Sequence, residues 1–378
     1  MNKVRIGFLG VGKMGQMAHL RNYVNIDDCE VVAIAEIRPE LGKLVAERYG
    51  IEKVYNDHNA MFAAEKLDGV VASQKFELHA NLLPEVYSRV KHVFTEKPIA
   101  VAPSAGQALA EAAAKTGCVH MVGYHKRSDP AVMYAKRIID DWKASGKMGP
   151  MKYVRLTMPE GDWIANGFIG LLSSDDPLPE LALETPSTDL PEDLYSPYRN
   201  FVNYYIHQIN LMRHLLCESY DVTYADPSGV LLAGQSKSGV ACMIEMSPYK
   251  TTLEWEESAL VAFQHGYIRI SLPAPVAYNR PGSVEIYEDP GNGATPLRTT
   301  PTLPWVHAMH QQAINFVKVC KGEIAPPCDA AEAVEDLHVA MDYIRMRLGR
   351  QREKRETRLC HRPGSELRYV RKKEFIDG

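Results

Sequence analysis

Short apolar segments alternate with segments of helical period over the first 124 residues of the chain. The apolar segments predict five strands, at residues 4–9, 30–35, 69–72, 92–94 and 119–122. The clearest predicted helices between them are 15–23, 40–49 and 104–115. Apolar strands that alternate with helices are typical of a parallel sheet covered on both faces. We therefore predict an α/β fold here, a doubly wound Rossmann domain over residues 1–125.

The pattern changes after Asp129-Pro130. Helices are predicted at residues 131–144, 200–216, 305–320 and 329–348. Strands are predicted at residues 151–158, 230–233, 240–246, 251–263, 267–272 and 284–287. Short turns with Gly, Pro or Ser separate several of these strands, which favours an antiparallel meander. We therefore predict a second, α+β domain over residues 126–378, built on a mainly antiparallel sheet.

Composition narrows the classes of protein. Of 378 residues, 46% are apolar and 24% charged, with a formal net charge of −4, which gives no general attraction to nucleic acid or anionic membrane. No apolar run reaches the ~18 residues of a membrane span, and no signal-peptide core precedes the first strand. Seven scattered cysteines without a Cys-x-x-Cys pair predict a reduced, cytoplasmic chain. No metal site is expected, because His307-x-x-His310 lacks a carboxylate motif.

Two stretches differ from the rest in charge. Residues 156–198 contain nine acidic residues, several prolines and no lysine or arginine, so we expect much of this stretch to be irregular. Such loops often act as lids or binding loops, and for residues 164–199 a plain surface insertion is an equal alternative. The basic stretch after Gln351 predicts a solvated face or a subunit contact.

The chain reads Gly10-Val11-Gly12-Lys13-Met14-Gly15 where the first strand ends and the first helix begins. In that context the pattern predicts a dinucleotide-binding turn, with backbone close to a pyrophosphate at a helix N-terminus. Glu36 ends the second strand, about 20 positions further on, where a carboxylate can bind a ribose diol and repel a 2′-phosphate. This favours NAD. Arg38 keeps NADP open, because a guanidinium there could bind that phosphate.

A Glu96-Lys97-Pro98 step lies at the carboxyl end of the predicted strand 92–94. Ligands bind at that edge of an open α/β sheet. The proline fixes the backbone and disfavours helix at Lys97, so that the side chain can be aimed. Taken alone, the step is equally compatible with a turn that carries a surface ion pair.

The predicted helix 200–216 carries an unusual polar stripe. Asn203, His207, Asn210 and His214 follow helical spacing and share one face. An uncharged polar stripe on an otherwise apolar helix fits one wall of a polar cavity. It also fits histidines that are satisfied by backbone groups within the core.

Together, the glycine turn, Glu36, residues 68–73 with His79, and above all Glu96-Lys97-Pro98 resemble the Gfo/Idh/MocA oxidoreductase family, which includes inositol dehydrogenases and glucose–fructose oxidoreductase. Residues 122–130 and 305–350 extend the resemblance over most of the chain. It implies that the glycine turn and Ser73 hold NAD(P) and that Lys97 works at the substrate hydroxyl. It also implies a second domain with an open sheet for substrate binding and oligomerisation, hence a homodimer or homotetramer.

The sequence departs from the family pattern in two places. Ser73-Gln74-Lys75 stands where the family usually has Thr-Pro. Asn203 stands where the family's second catalytic motif has an aspartate four residues before His207. An amide can orient a hydroxyl but cannot accept its proton, so His207 is expected to be the second acid/base beside Lys97.

The motifs and the resemblance give three groups of candidate site residues. The catalytic candidates are Lys97, His207 and Asn203. The cofactor-binding candidates are Gly10, Val11, Gly12, Lys13, Met14, Gly15, Glu36, Ile37, Arg38, Ser73, Gln74, His79, Glu96, Lys97 and Tyr124. The substrate-binding candidates are Lys97, Tyr124, His125, Lys126, Asp162, Trp163, Arg199, Asn203 and His207.

The predicted function is an NAD(P)-dependent oxidoreductase that transfers hydride between nicotinamide and a secondary alcohol of a sugar, cyclitol or glycoside. Burial and the positive charge of oxidised nicotinamide would both disfavour the ammonium form of Lys97, which helps it to act as a base. Two alternatives use the same scaffold. One is NAD-dependent glycoside cleavage through transient oxidation and elimination, and the other is a non-catalytic ligand sensor.

Overall fold

The computed structural model describes residues 3–185 and 187–360, with residues 352–360 as backbone only. The contact expected for the basic stretch after Gln351 lies outside the described side chains. Within the described residues, the first sheet has six parallel strands in the order β3-β2-β1-β4-β5-β6. The strands are β1 (Val4–Leu9), β2 (Cys29–Ala35), β3 (Lys53–Tyr55), β4 (Gly69–Ala72), β5 (His92–Glu96) and β6 (Val119–Gly123).

Helices cover this sheet, which confirms the predicted Rossmann fold. The helix expected at 15–23 begins as a π-helical segment, Gly15–Leu20, and ends as α1 (Arg21–Tyr23). The others are α2 (Pro39–Tyr49), α3 (His58–Ala64), α4 (His79–Tyr87) and α5 (Pro103–Thr116). The short elements β3, α3 and α4 were not predicted. For α3, the local signal is Asp57, whose carboxylate caps the helix at the Ala60 amide.

The second sheet has eight strands in the order β14-β13-β12-β11-β7-β10-β9-β8. Six of its described pairings are antiparallel and one, β7 with β10, is parallel. The strands are β7 (Met151–Glu160), β8 (Tyr220–Ala225), β9 (Leu231–Ser236), β10 (Ala241–Lys250), β11 (Glu257–Phe263), β12 (Gly266–Leu272), β13 (Ser283–Glu288) and β14 (Leu297–Thr299). The mainly antiparallel α+β architecture is as predicted.

The strand expected at 251–263 begins only at Glu257. Before it, the Thr251 hydroxyl donates to the Glu254 carbonyl at 2.7 Å, and that carbonyl also accepts the Asp162 amide at 3.1 Å. This local turn takes the backbone groups that a strand would pair. Residues 251–256 are therefore a loop beside the start of the irregular stretch.

The prediction of one helix over 200–216 is wrong. Instead α7 (Glu192–Tyr204) and α8 (Ile206–Leu216) meet at Tyr205, which has φ −90° and ψ −1°. The Tyr205 amide donates to the Phe201 carbonyl at 2.7 Å, its ring stacks on that of Phe201 with centroids 5.9 Å apart, and its hydroxyl bonds to Ser247. These contacts hold the break between the two helices. The apolar periodicity continues across Tyr205, so the sequence pattern predicts one helix instead of two.

The remaining helices are α6 (Pro130–Ser145), α9 (Ala308–Cys320) and α10 (Ala330–Cys360). Although α9 follows the second sheet in the chain, it packs on the first: the Phe316 ring lies 5.7 Å from that of Phe94. A Cβ on Gly69 would lie 2.9 Å from the Cys320 sulfur, so Gly69 allows this close approach. The division at residue 125 stays a prediction. No helix in the described part of the chain is long and apolar enough to cross a membrane.

Candidate functional site

The glycine turn joins β1 to the π-helical segment. Gly10 has φ +77°, which glycine adopts without strain, and the Ser73 hydroxyl donates to its carbonyl at 2.7 Å. A Cβ on Gly15 would lie 2.6 Å from the Ser73 hydroxyl and 2.7 Å from the Gly10 carbonyl oxygen. At Gly12, by contrast, a Cβ would meet only Arg38, at 3.6 Å. The turn is thus tightly packed beneath and open at Gly12, where a pyrophosphate would approach.

The Glu36 carboxylate, buried to 2% exposure, closes one side of this turn. It accepts the Val11 amide at 2.8 Å and the Arg38 guanidinium through two hydrogen bonds of 2.8 and 3.1 Å. Arg38 is therefore paired with Glu36 rather than free in solvent. Of the remaining candidates around the turn, Lys13 and Ile37 are exposed and Met14 is half-buried.

Three candidate residues, Ser73, Gln74 and His79, follow β4 at the carboxyl edge of the sheet. Ser73 holds the glycine turn, and Gln74 lies against it, with Nε2 3.2 Å from the position of a Cβ on Gly10. The buried Oε1 atom of Gln74 has no partner among the described residues, so it remains able to bind a ligand. His79 is fully buried, with Nδ1 2.9 Å from the Ile99 carbonyl, and burial lowers the pKa of His79.

Lys97 follows β5 and precedes Pro98 through a cis peptide bond. Its Nζ atom donates to the backbone carbonyl of Asn203 at 2.6 Å. That carbonyl lies in the last turn of α7, where helix carbonyls lack intrahelical partners and carry partial negative charge. The break at Tyr205 therefore creates the acceptor that holds the lysine. The Asn203 side chain itself is exposed.

The surroundings of Lys97 disfavour its charged form. Burial, opposed by Glu96 and helped by the positive charge of Lys126, lowers the pKa of Lys97 to about 8. Glu96 in turn lies 2.7 Å from Nε2 of His19. Burial raises the pKa of Glu96, but the hydrogen bond and charge of His19 outweigh it and the net pKa is lowered. Glu96 is therefore ionised at neutral pH, whereas the pKa of Lys97 lies close to neutral pH.

Two histidines lie beside Lys97. The rings of His125 and His207 meet edge to face with centroids 4.6 Å apart, and Tyr124 packs on His207 at 6.1 Å. Burial, followed by the positive charge of Lys97, lowers the pKa of His207 well below its ordinary value. Its buried Nδ1 atom has no hydrogen-bond partner among the described residues. His207 is therefore neutral at physiological pH, with a nitrogen available to a ligand.

Glu257, at the start of β11, is a site residue that the sequence reasoning missed. It accepts the Lys126 ammonium at 2.5 Å and the Gln208 amide at 2.9 Å. All three side chains are buried. The available signal was strand alternation, because Glu257 has the same parity as the apolar residues Ala259 and Val261. Lys126 is thus fixed by a buried ion pair beside the two histidines.

The structure separates other members of the predicted set. Arg199 pairs with Glu77, after β4. Asp162 caps its own loop by accepting the Ile164 and Ala165 amides at 3.1 and 3.0 Å. Trp163 packs on Phe168, and the contacts of the described residues do not join Asp162 or Trp163 to Lys97. Substrate roles for Asp162, Trp163 and Arg199 stay predictions.

The four residues of the polar stripe predicted over 200–216 also lie in two different environments. Asn210 donates to Asp336 at 2.6 Å and accepts from Arg127 at 2.7 Å. Arg213 completes this buried network with a 3.0 Å bond to Asp336. His214 lies near it, and burial lowers its pKa well below the ordinary value. Of the stripe, Asn203 therefore contacts Lys97 through its backbone and His207 contacts His125 and Tyr124 through its ring, while Asn210 holds α8 to α10.

The irregular acidic stretch, which we call the crossing segment (residues 161–185), lies across the first domain. The Gln16 side chain exchanges two 3.1 Å hydrogen bonds with the backbone of Leu172. Asp176 accepts the Leu41 amide at the start of α2 at 3.0 Å. Glu184 accepts the Val101 and Ala102 amides, just before α5, at 2.8 Å each. The expected irregularity is present, and whether the segment is a lid stays a prediction.

No three His, Cys, Asp or Glu side chains within the described ranges are grouped as a metal site would require. The residues around the glycine turn do fit a dinucleotide: an open backbone at Gly12, an orphaned Gln74 oxygen and a carboxylate after β2. These are the features that dinucleotide-binding turns share.

Comparison with known proteins agrees with this geometry. Residues 4–124 match the family described as the oxidoreductase family with an NAD-binding Rossmann fold. This part of the chain is therefore similar to the NAD-binding Rossmann domains of that oxidoreductase family. The inositol 2-dehydrogenase of Rhizobium meliloti (strain 1021) is 32% identical over 154 residues, which are 41% of this chain and 44% of the relative. The myo-inositol 2-dehydrogenase of Thermotoga maritima is 24% identical over 236 residues, 62% of each. The matches thus span about half of the relatives' length.

Solved structures share the fold over nearly the whole chain. An oxidoreductase domain protein from Kribbella flavida gives a TM-score of 0.70 at 18% identity, over 93% of this chain and 98% of the other. The aldose-aldose oxidoreductase of Caulobacter crescentus gives 0.67 at 18% identity, over 92% and 98%. At 18% identity these structures show a shared two-domain fold, including the second sheet, and nothing beyond the fold.

Proposed function

We propose that the protein is an NAD(P)-dependent dehydrogenase acting on a secondary alcohol of a sugar, cyclitol or glycoside. One observation carries the proposal: Lys97, with a pKa of about 8, lies within electrostatic range of His207, a neutral histidine whose Nδ1 atom has no partner among the described residues. Lys97 follows β5 at the carboxyl edge of the Rossmann sheet, and its amine contacts the last turn of α7, four residues before His207. The named dehydrogenases among the relatives support the same class of reaction.

Different residues bind the cofactor and react with the substrate. The glycine turn, Glu36 and Gln74 would hold the dinucleotide, whose nicotinamide supplies a hydride acceptor. Lys97, neutral in part near pH 8, takes the hydroxyl proton of the substrate at Nζ. A base is most effective when its pKa lies near the working pH, and an unperturbed lysine at ~10.4 would be almost fully protonated.

His207 has a different task from Lys97. Its pKa lies well below the ordinary histidine value, so it is a weak base, and its free nitrogen serves better to orient the substrate hydroxyl. The Asn203 carbonyl holds the Lys97 amine in place. That bond would give way, or be shared, when the substrate hydroxyl arrives. Asn203 thereby acts through its backbone, and the loss of the family's aspartate does not remove this contact.

The proposal is tested by following absorbance of reduced nicotinamide while inositols, aldoses, polyols and glycosides are screened with NAD and NADP. The matched variants are Lys97→Ala and, as a control, the exposed Lys75→Ala. We expect turnover of at least one polyol, a loss of about 10²- to 10⁴-fold in Lys97→Ala, and wild-type rates in Lys75→Ala. Cofactor affinity, measured by calorimetry, should change little in either variant. Unchanged turnover in Lys97→Ala would refute the assignment.

A further inference from the structure

A groove of about 780 Å³ lies on the second domain, outside the catalytic residues discussed above. Its walls come from the loop before β11, the loop after β12 and the chain before α9. Asp162, at the start of the crossing segment, forms part of its rim. Among the lining residues are two tryptophans, Trp255 and Trp305, and three leucines, Leu253, Leu272 and Leu303.

A second cavity, of only about 10 Å³, lies between the groove and the catalytic residues. It is lined in part by His125 and Lys126, and Glu257, Ala274 and Arg280 line both this cavity and the groove. Glu257 is ion-paired to Lys126, and the His125 ring contacts His207. The inner wall of the groove therefore includes Glu257, whose partner Lys126 interacts electrostatically with Lys97.

The groove walls have the chemistry of a ring-binding surface. Trp305 is 80% exposed and Leu253 is 89% exposed, which is unusual for side chains of this size. The Trp255 indole N–H is buried and has no hydrogen-bond partner among the described residues. Arg280 has neither an ion pair nor a hydrogen bond within the described ranges. Aromatic faces, a free donor and a free cation together suit a ring that carries hydroxyl groups.

We propose that this groove binds the aglycone ring of a glycoside, so that the physiological substrate is a glycoside rather than a free cyclitol. The volume is in the range of about 300–1,000 Å³ that encloses drug-sized ligands, more than a single polyol ring fills. The inference rests on the proposed dehydrogenase function, since it places the oxidised sugar beside Lys97. It adds the second ring, a sugar or an aromatic group, stacked on the groove tryptophans.

The test measures binding separately from turnover. Methyl and phenyl β-D-glucosides and galactosides, together with cellobiose and lactose, are titrated calorimetrically into the full chain with NADH present. The variants are Trp305→Ala and Arg280→Ala, and the control is Leu297→Ala, which removes a side chain that is 61% exposed on β14 and outside the groove. Reduced nicotinamide is followed in parallel with NAD and the same sugars.

We expect a phenyl glycoside or a disaccharide to bind at least 3-fold more tightly than the matching methyl glycoside. Trp305→Ala and Arg280→Ala should each lower this affinity ratio towards 1, and Leu297→Ala should keep it. A preference for phenyl glycosides identifies an aromatic aglycone, and one for disaccharides a second sugar. Equal affinity for methyl and ring-bearing glycosides, or a preference unchanged in both groove variants, overturns the inference. Ring-selective binding without any hydride transfer would instead refute the proposed function and leave the groove assignment standing.

Discussion

The Nζ atom of Lys97 lies 2.6 Å from the backbone carbonyl oxygen of Asn203. This contact joins the edge of the Rossmann sheet to the end of α7 in the second domain. It exists because α7 ends at Tyr204, one residue before the break, so that a carbonyl of its last turn faces the amine. Burial at this junction holds the pKa of Lys97 near 8.

Lys97→Met should make the protein more stable while it abolishes turnover. The folded-state pKa of Lys97, about 8, lies below its unfolded value, so folding disfavours the ammonium form. That cost is fully present below pH 8 and disappears as the pH rises towards 10.5. We expect urea unfolding at pH 7 to report a gain of about 1–3 kcal/mol, which shrinks at pH 10. Equal stability of both proteins at pH 7 would show that the lysine is not held in a disfavoured charge state.

The double variant Lys126→Met, Glu257→Gln should shift the pH dependence of turnover to higher pH. The positive charge of Lys126 lowers the pKa of Lys97, and neutral side chains at both positions remove it without leaving a buried unpaired charge. Gln208 can still donate to the amide oxygen at position 257. The apparent pKa of kcat/KM measures the shift. An unchanged apparent pKa would mean that Lys126 does not act on the titrating group.

Glu36→Gln should move cofactor preference towards NADP. The substitution keeps an acceptor for the Val11 amide, removes the charge that repels a 2′-phosphate, and frees the Arg38 guanidinium that Glu36 now binds. We expect the ratio of NADP to NAD affinity to rise about 10-fold or more, as one charge-assisted contact is worth about 1.5–3 kcal/mol. Calorimetric titration of the variant and the wild type with both cofactors measures this ratio. A fall in the ratio would contradict the charge argument.

Two glycines of the turn should respond differently to alanine. Gly15→Ala places a Cβ within 2.7 Å of the Gly10 carbonyl oxygen, whereas Gly12→Ala meets only Arg38 at 3.6 Å. We expect Gly15→Ala to lose about 1–3 kcal/mol of stability and Gly12→Ala to lose almost none. Gly12→Ala should still weaken NAD binding, because the new methyl group stands where the pyrophosphate approaches. Full NAD affinity in Gly12→Ala would place the phosphates elsewhere.

Most of the Rossmann sheet was predictable because its strands are short, apolar and buried on both faces. The proline step and the helical stripe also pointed to Lys97 and His207, which the structure brings close enough to interact electrostatically. The break at Tyr205 was not predictable, because it depends on contacts with Phe201 and Ser247 that lie outside local periodicity. The buried Lys126–Glu257 pair was missed for a related reason: its partners are 131 residues apart.

The pH profile of kcat/KM, measured with the polyol or glycoside that turns over fastest, decides whether Lys97 is the base. If Lys97 accepts the hydroxyl proton, the rate rises with pH, levels off above an apparent pKa of about 8, and this limb is absent in Lys97→Ala. A wild-type profile that is flat from pH 6 to 10, or the same limb in Lys97→Ala, would contradict the account.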